Sequence, residues 1–197
     1  MIPTPPLRVR NRLAEIILAA LEDAGARREL AALGEPGAQA PGWLERDELA
    51  HARLLRERAQ SASAALGTRS TTRIRSRADV LDAAATLFDA HLYFEVHELL
   101  EPSWRDARGD DREALQGLIQ VAVGYQHLAN ANFAGARALL DEGRGRLRGR
   151  NLDGLDLDAF GQAVARSLDH FFHFDWRAVP AFPRLVESTS ERKPRES

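Results

Sequence analysis

The chain has 197 residues, no cysteine, 44% hydrophobic and 28% charged residues, and a formal net charge of −2. These values predict an ordinary globular protein and argue against a disulfide framework, a thiolate metal site or an extensive nucleic-acid-binding surface. No apolar run reaches the roughly 18 residues that span a bilayer, and the N-terminus lacks the pattern of a signal peptide. We therefore expect a cytoplasmic protein with no membrane partner.

Helical periodicity dominates the sequence, which predicts an all-α fold: an antiparallel helical bundle or stacked helical hairpins with about six helices. A first helix is predicted over residues 6–33, with Gly25 as a potential break. The Gly- and Pro-rich loop 34–42 separates it from a second helix over 43–66. Residues 1–66 are thus expected to form an N-terminal helical hairpin extension.

Residues 67–77, "GTRSTTRIRSR", form a linker that carries four arginines and no acid. Two interpretations are open: an arm that contacts phosphate groups, or a solvated connector. The absence of aromatic residues for base stacking favours the connector.

Four further helices are predicted in a core over residues 78–176. Ser76 followed by Asp79 resembles a capping box and starts the helix that carries the main motif. Asp110 and Glu113 resemble a second helix start of the same kind. The core therefore begins with two long helices.

The second half of this core is also helical. Asn132 is a suitable cap for a helix over residues 133–148, and the last helix is predicted over 156–174. Its end, "DHFFHFDW" (169–176), is a weak metal pattern, and its density of aromatic residues favours docking onto the core. Residues 177–197 are expected to form a partly disordered C-terminal tail.

The stretch "FDAHLYFEVHELLEPSW" (88–104) places two histidines and three glutamates in an otherwise apolar helix. At 100° per residue, four of these five groups form one ribbon, whereas His97 stacks one turn below Glu101 and two turns below Trp104. The ribbon consists of His91, Glu95, Glu98 and Glu101. Buried carboxylates must be paired, protonated or bound to a metal, because an unpaired one costs several kcal/mol.

A polar stripe on the following helix is the expected partner of these groups. Gln116, Gln120 and His127 recur there at helical spacing. If the two stripes face each other, they form a polar seam inside an apolar bundle. The candidate residues of this seam are Glu95, His97, Glu98, Glu101, Trp104, Gln116, Gln120 and His127.

The sequences "YFEVHELLEPSW" and "LQGLIQVAVGYQHLANANFAGARALL" resemble the bacterial and archaeal domain of unknown function 309 family over about residues 82–148. The family motif is Phe-Glu-x-His-Glu-x-x-Glu-x-x-Trp, followed by a Leu-Gln-Gly-Leu-Ile-Gln helix. The resemblance implies an all-helical hairpin core and no particular activity. Pro102 departs from the expected pattern, and proline there predicts a helix that kinks or stops around residues 98–101.

Three functions are compatible with the seam. A histidine and a carboxylate four residues apart, as in His91 with Glu95 or His97 with Glu101, would ligate a divalent metal, with His127 as a third ligand. A dinuclear carboxylate site is disfavoured because the second helix has only glutamines in its interior. Otherwise the groups form a network that fixes helix packing, or the hairpins are an interaction module.

We favour a structural or protein-interaction role, with a homo-oligomer or another protein as partner and no nucleic acid. The alternative is a mononuclear metal-dependent or small-molecule-binding enzyme. No cofactor and no catalytic residue is predicted, and a divalent metal, with His91 and Glu95 as weak candidate ligands, is the cofactor that the pattern would accommodate.

Overall fold

The computed structural model describes residues 5–71, 73–169, 171 and 174–185. The all-α prediction is confirmed, but this part of the chain contains eight α-helices where the sequence predicted about six. The helices are α1 (Leu7–Ala19), α2 (Ala24–Gly34), α3 (Ala52–Gly67), α4 (Arg77–Asp89), α5 (Tyr93–Asp106), α6 (Gly109–Ala129), α7 (Phe133–Leu147) and α8 (Leu157–Ser167).

Two short 3₁₀ helices and one minimal β-hairpin complete the described elements. The 3₁₀ helices are Arg46–His51, before α3, and Trp176–Ala178, after α8. Strand β1 (Asn151–Leu152) pairs antiparallel with β2 (Leu155–Asp156) between α7 and α8. No helix of the described residues is long and apolar enough to cross a membrane.

The predicted first helix is two helices, α1 and α2. Asp23 lies between them and caps α2, because its side chain accepts a hydrogen bond of 2.7 Å from the backbone N–H of Ala26. A β-carbon at Gly25 would lie 2.9 Å from the Asp23 carboxylate, so glycine allows this cap. The extension therefore holds three α-helices instead of a two-helix hairpin.

These N-terminal helices share one hydrophobic core with the rest of the protein. Val9 and Leu13 of α1 belong to the same buried cluster as Val96 of α5 and Phe182 near the C-terminus. The linker is also held to the helices, because Arg69 forms an ion pair with Asp82.

Two successive helical hairpins, α4–α5 and α6–α7, have the same turn. His91 and Ala131, 40 residues apart, both adopt the left-handed conformation with φ of 60° and 58°. In the first turn, the N–H groups of His91 and Leu92 donate to the carbonyls of Phe88 and Leu87. The second turn repeats both hydrogen bonds 40 residues later, so both helices end in the same C-terminal capping motif.

Helix α6 is the centre of the fold and approaches α7 through glycines. A β-carbon at Gly143 would lie 3.0 Å from the carbonyl oxygen of Gly117 and 3.0 Å from the amide nitrogen of Val121. The cap of α7 is the predicted one, since Asn132 accepts from the Gly135 N–H at 3.1 Å. The cap predicted at Asp110 is wrong, because α6 begins earlier, at Gly109, where φ is 55°.

The last predicted helix is shorter than expected, because α8 ends at Ser167. Residues 174–185 include the short 3₁₀ helix, and Phe174, Trp176, Val179 and Phe182 of this segment pack against the core. Phe182 is only 2% exposed, so the first part of the predicted tail is ordered by packing. Residues 186–197 of that tail, like His170 and His173 of the aromatic motif, lie outside the described residues.

Candidate functional site

Helix α5 carries the motif, but it does not include His91. The predicted ribbon is interrupted because α4 ends at Asp89 and α5 begins at Tyr93, with His91 in the turn. The His91 ring stacks on Tyr93 at 5.6 Å and lies 5.8 Å from the ring of Trp176. His91 and Glu95 are therefore not a helical ligand pair, which corrects that candidate.

Glu95 is fully buried and faces the N-terminal helices instead of α6. Both of its carboxylate oxygens lie 3.5 Å from the Nη2 atom of Arg58 in α3. Glu95 is 0% exposed. This buried ion pair ties α5 to α3 across the linker, and we interpret it as a structural contact.

His97, Glu98 and Glu101 do converge, on the partly exposed face of α5. The Nδ1 atom of His97 lies 3.3 Å from Glu98 Oε1, and its Nε2 atom lies 3.9 Å from Glu101 Oε2. One ligand atom from each residue lies within 4.8 Å of the others. Their side chains are 31%, 39% and 28% exposed, so solvent and small ligands have access. We call these three residues the His97 cluster.

Of the two predicted effects of Pro102, a kink or a stop, the stop is wrong. α5 continues from Tyr93 to Asp106 with Pro102 inside it. The ring removes one backbone N–H donor, but the helix persists on both sides, so Glu101 keeps its helical position relative to His97.

The equivalent positions of α7 provide an internal comparison for the His97 cluster. Because the two hairpin turns match 40 residues apart, His97, Glu98 and Glu101 correspond to Arg137, Ala138 and Asp141. In α7 these positions hold an ion pair, in which Arg137 donates to Asp141 at 2.8 Å. Helix α5 thus carries a histidine and two carboxylates at the positions where α7 carries an Arg–Asp pair of balanced charge.

Arginine side chains contact residues of helix α5, one of them within the cluster. Arg105 donates to Glu101 at 2.6 Å. At one end of α5, the guanidinium of Arg10 lies 3.9 Å from the ring centroid of Phe94, and at the other end Arg112 lies 4.0 Å from that of Trp104. Trp104 is therefore engaged with Arg112 rather than with His97.

The remaining predicted seam residues have other partners. Gln120 is 8% exposed and accepts from Arg146 of α7 at 3.1 Å. The side-chain amide nitrogen of Asn132 donates to His127 Nδ1 at 2.6 Å. Gln116 lies half-buried on α6, one turn before Gln120. Gln120 thus faces α7 instead of α5, which contradicts its predicted place in a seam with the α5 glutamates.

Sequence reasoning missed the arginines that complete this region. Arg58 lies 37 positions before Glu95, on an arginine-rich helix where nothing distinguishes it from its neighbours. Arg105 had a signal, since it follows Glu101 by four residues on the same helix. Of the eight predicted seam residues, the structure brings together His97, Glu98 and Glu101.

Fold and site together define an all-helical protein of stacked hairpins with a solvent-accessible His–Glu–Glu group on one of them. Residues 81–139 match the family model described as Domain of unknown function (DUF309), and this segment includes the whole of α5 and α6. The family resemblance predicted from the sequence is therefore confirmed. No curated protein and no solved structure matches the chain.

Proposed function

We propose that this chain binds a divalent cation through His97, Glu98 and Glu101. The observation that carries the proposal is the approach of three potential ligand atoms to within 4.8 Å of one another. Among the described residues, this is the group of three histidine or carboxylate side chains whose ligand atoms lie close enough together to hold one ion.

The three side chains must rotate inward to enclose a cation. A Zn²⁺ ion with ligands at about 2.0–2.2 Å requires donor atoms roughly 3.0–3.6 Å apart. One donor atom from each residue, with a single ring nitrogen of His97 among them, lies within 4.8 Å of the others, so the side chains must rotate inward to close around one ion. Side chains that are a third exposed have room for such a rotation.

The ligand set indicates the class of cation. One imidazole with two carboxylates suits Zn²⁺ or Mn²⁺ better than a soft metal such as Cu⁺. Three protein ligands also leave a coordination position open, and a divalent cation there would act as a Lewis acid on a bound water or substrate. This makes the mononuclear metal-dependent alternative more strongly supported than the purely structural role of the cluster.

Arg105 is the main competitor of the cation. It donates to Glu101, and this ion pair must loosen before Glu101 can ligate a metal. Arg105 is 65% exposed, so breaking its pair costs little, on the order of 0–1 kcal/mol. Replacement of Arg105 by alanine should therefore strengthen cation binding.

Isothermal titration of untagged, chelator-free protein with Zn²⁺ and with Mn²⁺ tests the proposal. We expect one equivalent per chain, and a loss of at least about tenfold in affinity for Glu98→Ala and for Glu101→Ala. Asp141→Ala is the matched control, because it removes a carboxylate from the equivalent position of α7. Binding below about a tenth of an equivalent, or equal losses in the control, would refute the proposal.

A role as a protein-interaction scaffold is the second candidate. It is favoured by the two hairpins with matching turns, since stacked helical hairpins recur in proteins that bind partners over extended surfaces. The corresponding expectation is a homodimer or a defined complex. Light scattering at micromolar concentration measures the oligomeric state, and a uniform monomer would contradict the homo-oligomer.

A further inference from the structure

Residues 174–185 follow α8, and the chain returns there along the hairpin of α4 and α5. Phe174 lies 6.2 Å from the ring of Tyr125 in α6, and Trp176 lies 5.8 Å from His91. After the short 3₁₀ helix, the chain runs without helix or strand as far as Leu185. The segment thus lies on α4, α6 and α8 like a bound peptide, and we call this surface the tail groove.

Phe182 is the apolar anchor of the segment. Its ring lies 5.4 Å from Phe88 of α4 and 5.6 Å from Phe160 of α8, and the residue is 2% exposed. Its backbone N–H donates to the Asp89 carboxylate at 2.9 Å. One aromatic side chain and one backbone N–H are therefore recognised at the same position.

Arg184 is the charged anchor, two residues later. Its guanidinium donates to Asp89 at 2.8 Å and to Asp82 at 3.3 Å. The phenylalanine and the arginine both contact α4, as expected of residues two apart in an extended chain, where alternate side chains point the same way. The groove therefore binds an aromatic residue and an arginine two positions after it.

The segment does not fill the space around its own arginine. A cleft of about 520 Å³ is lined by Asp82, Asp89 and Arg184 together with Arg69 of the linker. A second cleft of about 450 Å³ is lined by Asp82, Leu155 and Leu185. Both clefts border Arg184, so the groove has room for larger groups than this segment offers.

We propose that the tail groove is a peptide-recognition groove, whose partner is an extended peptide of another protein carrying an aromatic residue and an arginine two positions later. The chain's own segment occupies the groove in cis and must leave before that partner binds. This inference is independent of the cation site. It specifies which kind of peptide the protein would bind in its role as an interaction scaffold.

The cis segment determines how the test must be designed. A tethered segment competes with an effective concentration on the order of millimolar. A free peptide therefore binds the intact chain with an apparent affinity reduced by the fraction of open groove. Weakening the cis contacts without damaging the groove should raise the affinity for the free peptide.

Fluorescence anisotropy with a labelled peptide of residues 174–185 measures this directly. We expect the full chain with Arg184→Ala to bind the peptide more tightly than the unmodified chain, by up to about fivefold, because half-exposed ion pairs hold the cis segment only that weakly. Arg177→Ala is the matched control, because Arg177 lies in the same segment but pairs with its neighbour Asp175 and not with the groove. A peptide in which alanine replaces both anchor residues should bind neither variant.

The variants also separate recognition from folding. Phe182→Ala removes a buried ring and is the more disruptive change, whereas Arg184 is 46% exposed and its replacement should leave the fold intact. A folded Arg184→Ala chain that binds no peptide at about 1 mM would overturn the proposal. Dimerisation of this variant without peptide binding would do so too, since the occupant would then be a second copy of the chain.

Discussion

Replacing Gly143 with alanine tests whether α6 and α7 touch through their backbones. The added β-carbon would lie 3.0 Å from the Gly117 carbonyl oxygen and 3.0 Å from the Val121 amide nitrogen. Both atoms are backbone, so relief requires the helices to separate by a few tenths of an ångström. Such overpacking costs about 1–3 kcal/mol.

Alanine also favours the helix, so the steric cost must be measured against a control. Gly145 lies two residues later on α7 and is exposed, and a β-carbon added there would meet no atom within 4 Å. Gly145→Ala should therefore stabilise the protein by up to about 1 kcal/mol. Because both substitutions gain helix propensity, the difference between the two variants, about 1–3 kcal/mol, isolates the contact between the helices.

Urea unfolding at 25 °C, followed by circular dichroism, measures both free energies of unfolding. Equal slopes with denaturant are needed for the comparison, because a changed slope would mean a changed amount of exposed surface. If Gly143→Ala is as stable as Gly145→Ala, the backbones of α6 and α7 do not approach as closely as described, and the reasoning is refuted.

Three other substitutions test individual contacts of the fold. Glu95→Gln leaves a buried guanidinium without its counter-charge and should cost about 3 kcal/mol in urea unfolding, whereas Glu57→Gln, from an exposed pair, should cost under about 1 kcal/mol. The Arg77 guanidinium holds the pKa of Asp153 below its ordinary value, so this pair stabilises the fold above about pH 4 and ceases to do so as the pH falls through the folded-state pKa. Arg77→Ala, which removes the pairs with Asp153 and Asp111, should accordingly lower stability by about 1 kcal/mol at pH 7 and by progressively less as the pH falls through the folded-state pKa of Asp153, and a pH-independent difference would contradict this. Ala131→Gly should raise the thermal midpoint, because a left-handed alanine costs about 1 kcal/mol, and an unchanged midpoint would argue against the turn geometry.

The sequence predicted helices wherever apolar periodicity was long, and it missed the breaks that lack glycine or proline. The turn at His91 is one such break, because its left-handed residue is a histidine and the apolar pattern continues through Leu92 into α5. The break before α2, in contrast, lies beside Gly25, where the sequence indicated a potential break, and it depends on the Asp23 cap, which is a local polar interaction. Periodicity therefore identifies helical segments better than it counts helices.

The candidate site was predictable where its contacts lie within one helix. The pairing of His97 with Glu101 follows from their four-residue spacing, and the structure has it. The seam was not predictable, because α6 packs between α5 and α7 and its sequence does not tell which neighbour Gln120 faces. The partner of Glu95 was equally hidden, since it comes from α3, before the linker.

The two hairpins separate what the fold requires from what the site requires. Leu99 and Leu100 of α5 recur as Leu139 and Leu140 of α7, and both turns keep the same hydrogen bonds. These shared features serve helix packing, which both hairpins need. The His97 cluster is not shared, so helix packing alone does not explain it.

This separation makes a last prediction about the cluster itself. The triple substitution Arg137→His, Ala138→Glu and Asp141→Glu would reproduce the three side chains on α7, on the same backbone geometry. If those side chains are sufficient for cation binding, titration with Zn²⁺ should show a second equivalent, with an affinity within about tenfold of the first. If only one equivalent binds, other surroundings of α5 must contribute and the ligand set alone does not account for the site, because the position of α7 equivalent to the competing Arg105 is Gly145.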